Sequence, residues 1–500
     1  MSSTDTAASP IVEAGDAARQ FARRWWILAT IGLAQTMVAL DGTVMNIALP
    51  SAQAELGFDD GSRPWIITAY SLAFASLLLL SGRLADRFGR KNIFIIGLAG
   101  FAVASAVGGA AINFEMLVTA RAVQGAFAAL LAPAALALLT TTFTNGRERA
   151  RAFGVFGAIG VGGLTIGLVL GGALTEYLSW RSTMYINLLF AIPAIIGAII
   201  LLGHAVRSTE RAPIDIPGTL TVSAGLFSLV YGFSRVESDG WDAPITIAFL
   251  AAGVILLAVF FVLQARLARP LLPLRVILDR ERGGGLLGML LSTAGMLGMV
   301  FLLAYYVQGI LGYSAVQTGI AFLPMPIALA TSAIIIAPRV SRLLGPKISV
   351  PLGFLIGATA MLLLTRITTE DAYVAHILPS LILLGLGLGL AIPTSTSIAT
   401  MGLRREDTGV GSSLVSTVQQ VGGALGVAIL SSVAATAAVD YVAEHAATAT
   451  LPLEAAVHAD TIAFFVSAGL FLLGAVVTAT LLRPGRVTDD SDEPAGIMAA

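Results

Sequence analysis

The sequence predicts an all-α polytopic membrane protein: fourteen transmembrane helices, arranged as two six-helix halves plus a central extra helix pair. Three observations carry that reading. Of the 500 residues, 56% are hydrophobic and only 12% are charged. A water-soluble chain carries about 25% charged residues, so lipid must be the solvent for much of this one. Fourteen apolar runs reach the roughly 20 residues that cross a hydrocarbon core about 30 Å thick. The basic residues of the connecting loops alternate in step with those runs.

The first 24 residues are polar and small and end in Arg19, Arg23 and Arg24. The apolar run behind them is too long for a signal-peptide core, and no small-residue cleavage site follows. Residues 1–24 therefore read as a disordered cytoplasmic tail before a retained first span. An amino-terminal half, 25–203, holds spans near 25–49, 64–82, 92–112, 115–141, 150–173 and 182–203. A linker, 204–282, holds two extra spans near 216–235 and 243–265. A carboxyl-terminal half, 283–482, holds spans near 283–309, 317–337, 348–366, 375–399, 409–435 and 459–482, and a tail, 483–500, follows.

With the amino terminus inside, the inward loops carry Arg83, Arg87, Arg90 and Lys91, then Arg147, Arg149 and Arg151, then Arg207 and Arg211. The series continues with Arg266, Arg269, Arg275, Arg280 and Arg282, with Arg339, Arg342 and Lys347, and with Arg404 and Arg405. The outward segments hold only Arg63, Arg181, Arg235 and Arg366, and are otherwise acidic. A miscounted span would invert this bias partway along; it holds throughout, which places both termini in the cytoplasm. The loops Gly82–Lys91 and Pro338–Lys347 share arginine, an apolar residue, glycine and lysine at matching offsets. That internal repeat is the basis for two parallel halves.

Composition also excludes functions. A net charge of −1 without a basic patch argues against nucleic acid. Without cysteine there is no thiolate catalysis and no thiolate metal site. His204, His376, His445 and His458 fall at span ends or in loops without ligand spacing, so no metal or other cofactor is expected. No P-loop occurs, so ATP is not a direct energy source. Gly385, Gly387 and Gly389 lie inside an apolar span and are no dinucleotide fingerprint.

Asp41 stands within the first span, about 16 residues or ~24 Å from its start. A carboxylate there is costly and marks a pathway or proton relay by default; the alternative is a structural acid that bonds Thr43 or Asn46. Arg121 lies in the fourth span at comparable depth and opposite sign, which predicts a pair. Separating the two would change the proton affinity of the carboxylate, whereas a fixed pair would merely lock helices 1 and 4. Gly163, Gly167 and Gly171 form one small-residue stripe that admits a neighbouring helix. Gln35, Asn46, Tyr70, Gln124, Tyr305, Tyr306, Gln308, Gln419 and Gln420 are candidates to line a substrate cavity, or are interhelical hydrogen-bonding groups. No acid is expected deep in a carboxyl-half span.

The motifs resemble the major facilitator superfamily, and within it the fourteen-helix drug:proton antiporters, over about 25–480. Gly82, Asp86, Arg87, Gly89, Arg90 and Lys91 match the loop signature between helices 2 and 3. Leu40–Pro50 resembles the helix-1 signature of the fourteen-helix branch. Leu117, Arg121, Gln124 and Gly125 resemble the helix-4 signature linked to proton coupling. Gly163–Gly172, with Gly171 and Gly172 in place, resembles the helix-5 antiporter signature; Leu168 stands where many members have proline, and Gln264 where many have glutamate.

The resemblance implies that Asp86 latches onto the start of helix 13, after Glu406–Gly409. It implies a proton-motive-force-driven exporter in a bacterial cytoplasmic (inner) membrane, a monomer that works by alternating access and is not an enzyme. Some relatives that export dications carry an acid deep in the carboxyl half, so the expected cargo is small, lipophilic, and neutral or monocationic, beside protons and membrane lipid. The alternatives are a proton-coupled carrier of a lipid or metabolite, or an importer of the same fold. A sensor or scaffold would need an appended domain, and the expected tails are short.

Overall fold

The computed structural model describes residues 10–143, 146–203, 215–267, 270, 272, 274–369, 373–400, 408–446 and 448–483. Among these there is no strand. The first eight long helices are α1 (Pro10–Leu56), α2 (Arg63–Phe88), α3 (Arg90–Gly109), α4 (Phe114–Thr142), α5 (Gly146–Tyr177), α6 (Ser182–Leu201), α7 (Ile216–Asp239) and α8 (Pro244–Arg266). The remaining six are α9 (Arg280–Ile310), α10 (Ala315–Leu344), α11 (Pro346–Leu364), α12 (Ile377–Thr400), α13 (Thr408–Glu444) and α14 (Leu451–Leu481). Among the described residues twelve helices are long and apolar enough to cross a membrane; α2 and α5 complete the set of fourteen.

Several helices outrun the predicted spans. α1 starts at Pro10, inside the stretch expected to be disordered; the alanines of residues 10–22, with Glu13, Arg19 and Gln20, favour helix. α13 runs on to Glu444 through an alanine-rich segment, so Asp440 and Glu444 sit on the helix and not in a loop. α14 begins at Leu451, with Pro452 in its first turn, where a missing N–H costs no hydrogen bond. Beyond the hydrocarbon, helix continues wherever propensity permits. Tails 1–9 and 484–500, His204, and the loop arginines 207, 211, 269, 404 and 405 lie outside the described residues.

The chain divides into two compact units. The first comprises Met1–Leu229, Ala251–Leu271 and Tyr313–Ile320; the second comprises Val230–Leu250, Leu272–Gly312 and Ala321–Ala500. In the first, α1 packs on α5 and α6, α3 on α4 and α6, and α2 on α4. In the second, α9 packs on α13 and α14, α11 on α12 and α14, and α10 on α12. The second set is the first with every helix advanced by eight. Gly89 (φ 89°) and Gly345 (φ 73°) occupy the same place in the two sequence repeats and make the same helix-to-helix turn. A side chain in that left-handed region is strained. The helix ends repeat as well. Arg23 on α1 donates to the Leu201 carbonyl that ends α6, and Arg280, the first residue of α9, donates to the Thr480 carbonyl near the end of α14. Cations there meet the negative pole of the helix.

Three of the four basic residues in the otherwise acidic segments are held by acids: Arg63 by Asp60, Arg181 by Glu55 at 2.8 Å and Arg235 by Asp239 at 2.5 Å. Arg181 does more. Its Nη1 also donates to the carbonyls of Gly109 (3.0 Å) and Ala111 (2.5 Å), tying the ends of α1, α3 and α6 together. Arg181→Ala should lower unfolding stability by about 1–3 kcal/mol, the cost of orphaning those partners. Arg235→Ala, which breaks an i,i+4 pair with Asp239, should cost less, about 0.5 kcal/mol. Thermal melting of the purified variants compares them, and equal losses would remove the bracing role of Arg181.

Candidate functional site

The first unit buries one charge cluster, built from five of its helices. Asp41 on α1 and Arg121 on α4 are each 2% exposed, with Arg121 Nη1 2.6 Å from Asp41 Oδ2. The other carboxylate oxygen accepts from the Asn187 amide of α6 at 2.8 Å and the Gln124 amide of α4 at 3.2 Å. Ser105 Oγ on α3 accepts from the same two amides, at 3.2 and 2.6 Å. Arg121 also donates from Nε to the Ile66 carbonyl of α2 (3.2 Å) and from Nη1 to Gln124 Oε1 (3.0 Å), and its guanidinium lies 4.5 Å over the Tyr70 ring. That ring face adds a cation–π contact in a dry setting.

Glycine makes this approach possible. A Cβ on Gly125 would lie 2.1 Å from the Tyr70 carbonyl, so α2 and α4 touch backbone to backbone beside Arg121. The α5 stripe grips the stretch of α1 that bears Asp41. A Cβ on Gly163 would meet Ala39 at 3.0 Å, on Gly167 the Thr43 hydroxyl at 2.1 Å, and on Gly171 the Val44 Cα at 2.9 Å. Gly172 faces elsewhere in the same unit: its Cβ would meet the Ala315 carbonyl at 2.4 Å, close to where Glu176 Oε2 accepts from the Val316 N–H at 3.0 Å.

Thr43 and Asn46 do not bond Asp41; each turns to a carbonyl of its own helix, Leu40 and Gly42. Tyr70 and Gln124, read from sequence as cavity candidates, are instead buried members of the charge cluster. Tyr306 is spent on the Thr368 carbonyl at 2.6 Å. Gln35 is half-buried against Gly160 of α5. Tyr305, Gln308, Gln419 and Gln420 are half-buried in the second unit, with Gln308 on a π turn, Tyr306–Ile310. Such turns occur frequently at functional sites. Of the expected latch, Lys91 donates to the Ile199 and Leu202 carbonyls at the end of α6, Gly89 makes the buried turn, and Arg90 is half-buried. The surroundings of Gly82, the side chains of Asp86 and Arg87, and residues Glu406 and Asp407 lie outside what is described.

Asn187 and Ser105 were not singled out from sequence. Asn187 had a signal: it is a lone amide in a span of mean hydropathy 2.3. Asp460, next to the expected start of the last span at 459, is buried in the helix that extends before it. Because α14 starts at Leu451, this acid lies nine residues into the helix, about 14 Å along it, and is 8% exposed. The carboxyl half does bury an acid.

Chemically, the cluster ties charge to structure. Protonating Asp41 leaves Arg121 without its counter-ion, and a buried uncompensated cation forces rearrangement or rehydration. The Tyr70 and Thr68 hydroxyls and Asn187 Oδ1 are buried without a hydrogen-bond partner, so the region keeps unspent polar capacity for that event.

Residues 31–427 match the family model described as Major Facilitator Superfamily. The chain belongs to the Major Facilitator Superfamily. Members with curated descriptions include the puromycin resistance protein pur8 of Streptomyces alboniger, 44% identical over 96% of this chain and 95% of its own length. The cephamycin export protein CmcT of Amycolatopsis lactamdurans is 37% identical over 80% and 83%. The tetracenomycin C resistance and export protein of Streptomyces glaucescens is 32% identical over 86% and 79%. Among solved structures, the POT family transporter PepTSo matches with TM-score 0.66 at 14% identity, over 92% of this chain and 97% of its own. The human organic anion transporter MFSD10 matches with 0.59 at 17%, over 91% and 99%. These two likenesses speak to the superfamily fold alone.

If the pair is energetically one unit, Asp41→Asn and Arg121→Met should each destabilise by about 3–5 kcal/mol, since each strands a buried partner. The double variant should then lose clearly less than the sum. Melting of the four proteins of the cycle measures this, and strict additivity would show that the two charges do not interact.

Proposed function

We propose that this protein is a proton-driven exporter of small lipophilic molecules, neutral or cationic, that works by alternating access. The observation that carries the reading is the Asp41–Arg121 pair, a buried carboxylate whose charge state and packing are coupled. The relatives named for resistance to puromycin and for export of a cephamycin and of tetracenomycin C support export, and support antibiotic-like molecules as the cargo class. Asp460 supplies the second unit with a buried acid, so cationic cargo stays within reach. The positive-inside bias supports a bacterial cytoplasmic membrane with both termini inside, which makes the Ala110–Asn113 turn face outward. The chain is taken as a monomer in lipid.

Proton entry supplies about 2.3 kcal/mol per charge per 100 mV and about 1.4 kcal/mol per unit of pH difference. In the proposed cycle, a proton on Asp41 releases Arg121 and permits one facing state. Loss of that proton to the cytoplasm restores the pair and drives the return. Gly82, Asp86, Arg87, Gly89 and Arg90 are proposed as the cytoplasmic latch of that cycle.

Efflux of a fluorescent lipophilic cation from energised cells tests the proposal. Wild type should extrude the dye, and a protonophore should abolish extrusion. Asp41→Asn should reduce it at least about tenfold at equal protein level, the equivalent of about 1.4 kcal/mol. Full efflux by Asp41→Asn would remove Asp41 from coupling. Efflux by wild type that survives the protonophore would sink proton drive altogether.

A further inference from the structure

Between α3 and α4 the first unit carries a groove of about 770 Å³ that opens sideways. Its walls are apolar: Val103 and Val107 on α3 and Val123 on α4, all exposed on a face that lipid must cover. Phe127 is the last lining residue along α4, opposite Gly100 of α3. Its ring lies so near α3 that a Cβ on Gly100 would meet it at 2.3 Å, so the helices touch at that level. Nearer the Ala110–Asn113 turn the groove is lined by Ala104 and Ala120, too small to fill it. At that end Asn113 caps α4 through the Met116 N–H at 2.9 Å, and exposed Glu115 is the sole charged residue of the lining.

Length and charge select the occupant. From Phe127 to Asn113 is fourteen residues of α4, about 21 Å, somewhat more than the ~15 Å half-thickness of a hydrocarbon core. The groove therefore runs from near the bilayer centre to headgroup level. An apolar concavity facing the bilayer core takes an acyl chain, since water there gains nothing. A carboxylate at its headgroup end attracts an ammonium group and repels a purely anionic headgroup. We propose that the groove binds one phospholipid with a primary-ammonium headgroup, its acyl chain along Val103, Val107 and Val123 and its ammonium on Glu115. The assignment to the outer leaflet rests on the orientation proposed above; the binding itself does not depend on transport.

The site backs onto the charge cluster. Ala104 and Val123 line the groove, and the residues that follow them, Ser105 and Gln124, are hydrogen-bonded to each other at 2.6 Å on the buried side. A chain seated there would brace the helix pair that positions Asp41.

Photolabelling tests this with the full chain in mixed ethanolamine- and choline-headgroup phospholipid vesicles. Trace probe lipids carry a diazirine on the acyl chain and either headgroup, and labelled peptides are read by mass spectrometry. The lipid-facing surface of α8 serves as the baseline. Residues 96–127 should take the ethanolamine probe roughly two- to fivefold more than the choline probe, because a primary ammonium donates hydrogen bonds to the Glu115 carboxylate and a quaternary one, equally charged, cannot. Glu115→Gln should erase that preference while labelling continues. Val103→Trp, which fills the groove, should reduce labelling by both probes to the α8 level. Equal labelling by both probes in wild type, or labelling no greater than on α8, would overturn the proposal. Preferential labelling that survives Glu115→Gln would also overturn it, because the headgroup would then be recognised elsewhere.

Discussion

A carboxylate at membrane depth must have its charge answered inside the protein, and the amino-terminal unit is organised around that requirement. Asp41 receives one guanidinium and two amides, and those three groups are delivered by α4 and α6. Arg121 and the two amides also reach α2 and α3, through the Ile66 carbonyl and Ser105. No helix in this set can shift without loosening a partner of the pair. A buried ion pair of this kind contributes little net stability against an apolar replacement, but breaking it by removing one partner is expensive. Its presence is better explained by specificity of position than by stability.

The remainder of the unit obeys the same rule at lower stakes. Helix ends expose carbonyls that lipid cannot satisfy, and long cationic side chains reach them: Lys91 and Arg23 at the end of α6, and Arg181 at the end of α3. Glycines set how closely the rods approach, at Gly125 between α2 and α4 and along Gly163, Gly167 and Gly171 between α1 and α5. The second unit repeats the helix pairing, the Gly89 turn as Gly345, and the arginine cap as Arg280.

What the sequence disclosed follows from cost. Helix number was legible because a fixed hydrocarbon thickness imposes span length. Asp41 and Arg121 were legible because charges inside spans are rare enough to demand a reason. Neutral Ser105 and Asn187 cost little in a helix interior, so the residues that orient the carboxylate left faint marks. Asp460 was hidden by a boundary: with α14 taken to start near 459 it was a terminal residue, and eight more residues of helix make it internal. The partners of Lys91 and Arg181 are mostly backbone carbonyls, which every residue has, so no side-chain pattern announces them. Hence the helix-capping contacts of Lys91, a residue of the expected latch, were not legible.

The position of the glycine stripe on α5 explains how a proton on one side chain can be felt along a whole helix. Gly167 sits against the turn of α1 from Leu40 to Thr43 that contains Asp41, where a Cβ would lie 2.1 Å from the Thr43 hydroxyl and 3.2 Å from the Leu40 carbonyl. A contact this close transmits displacement instead of absorbing it, because close-packed backbone has no rotamers to yield. When the carboxylate loses its hold on Arg121, the shift of α1 must therefore be shared by α5. α5 in turn lies against the first turns of α10 through Gly172 and Glu176. Flexible side chains at Gly163, Gly167 or Gly171 would decouple α1 from α5 even with the charge pair intact. On this view the antiporter signature and the buried acid form one device, with the acid sensing the proton and the bare helix face carrying the motion.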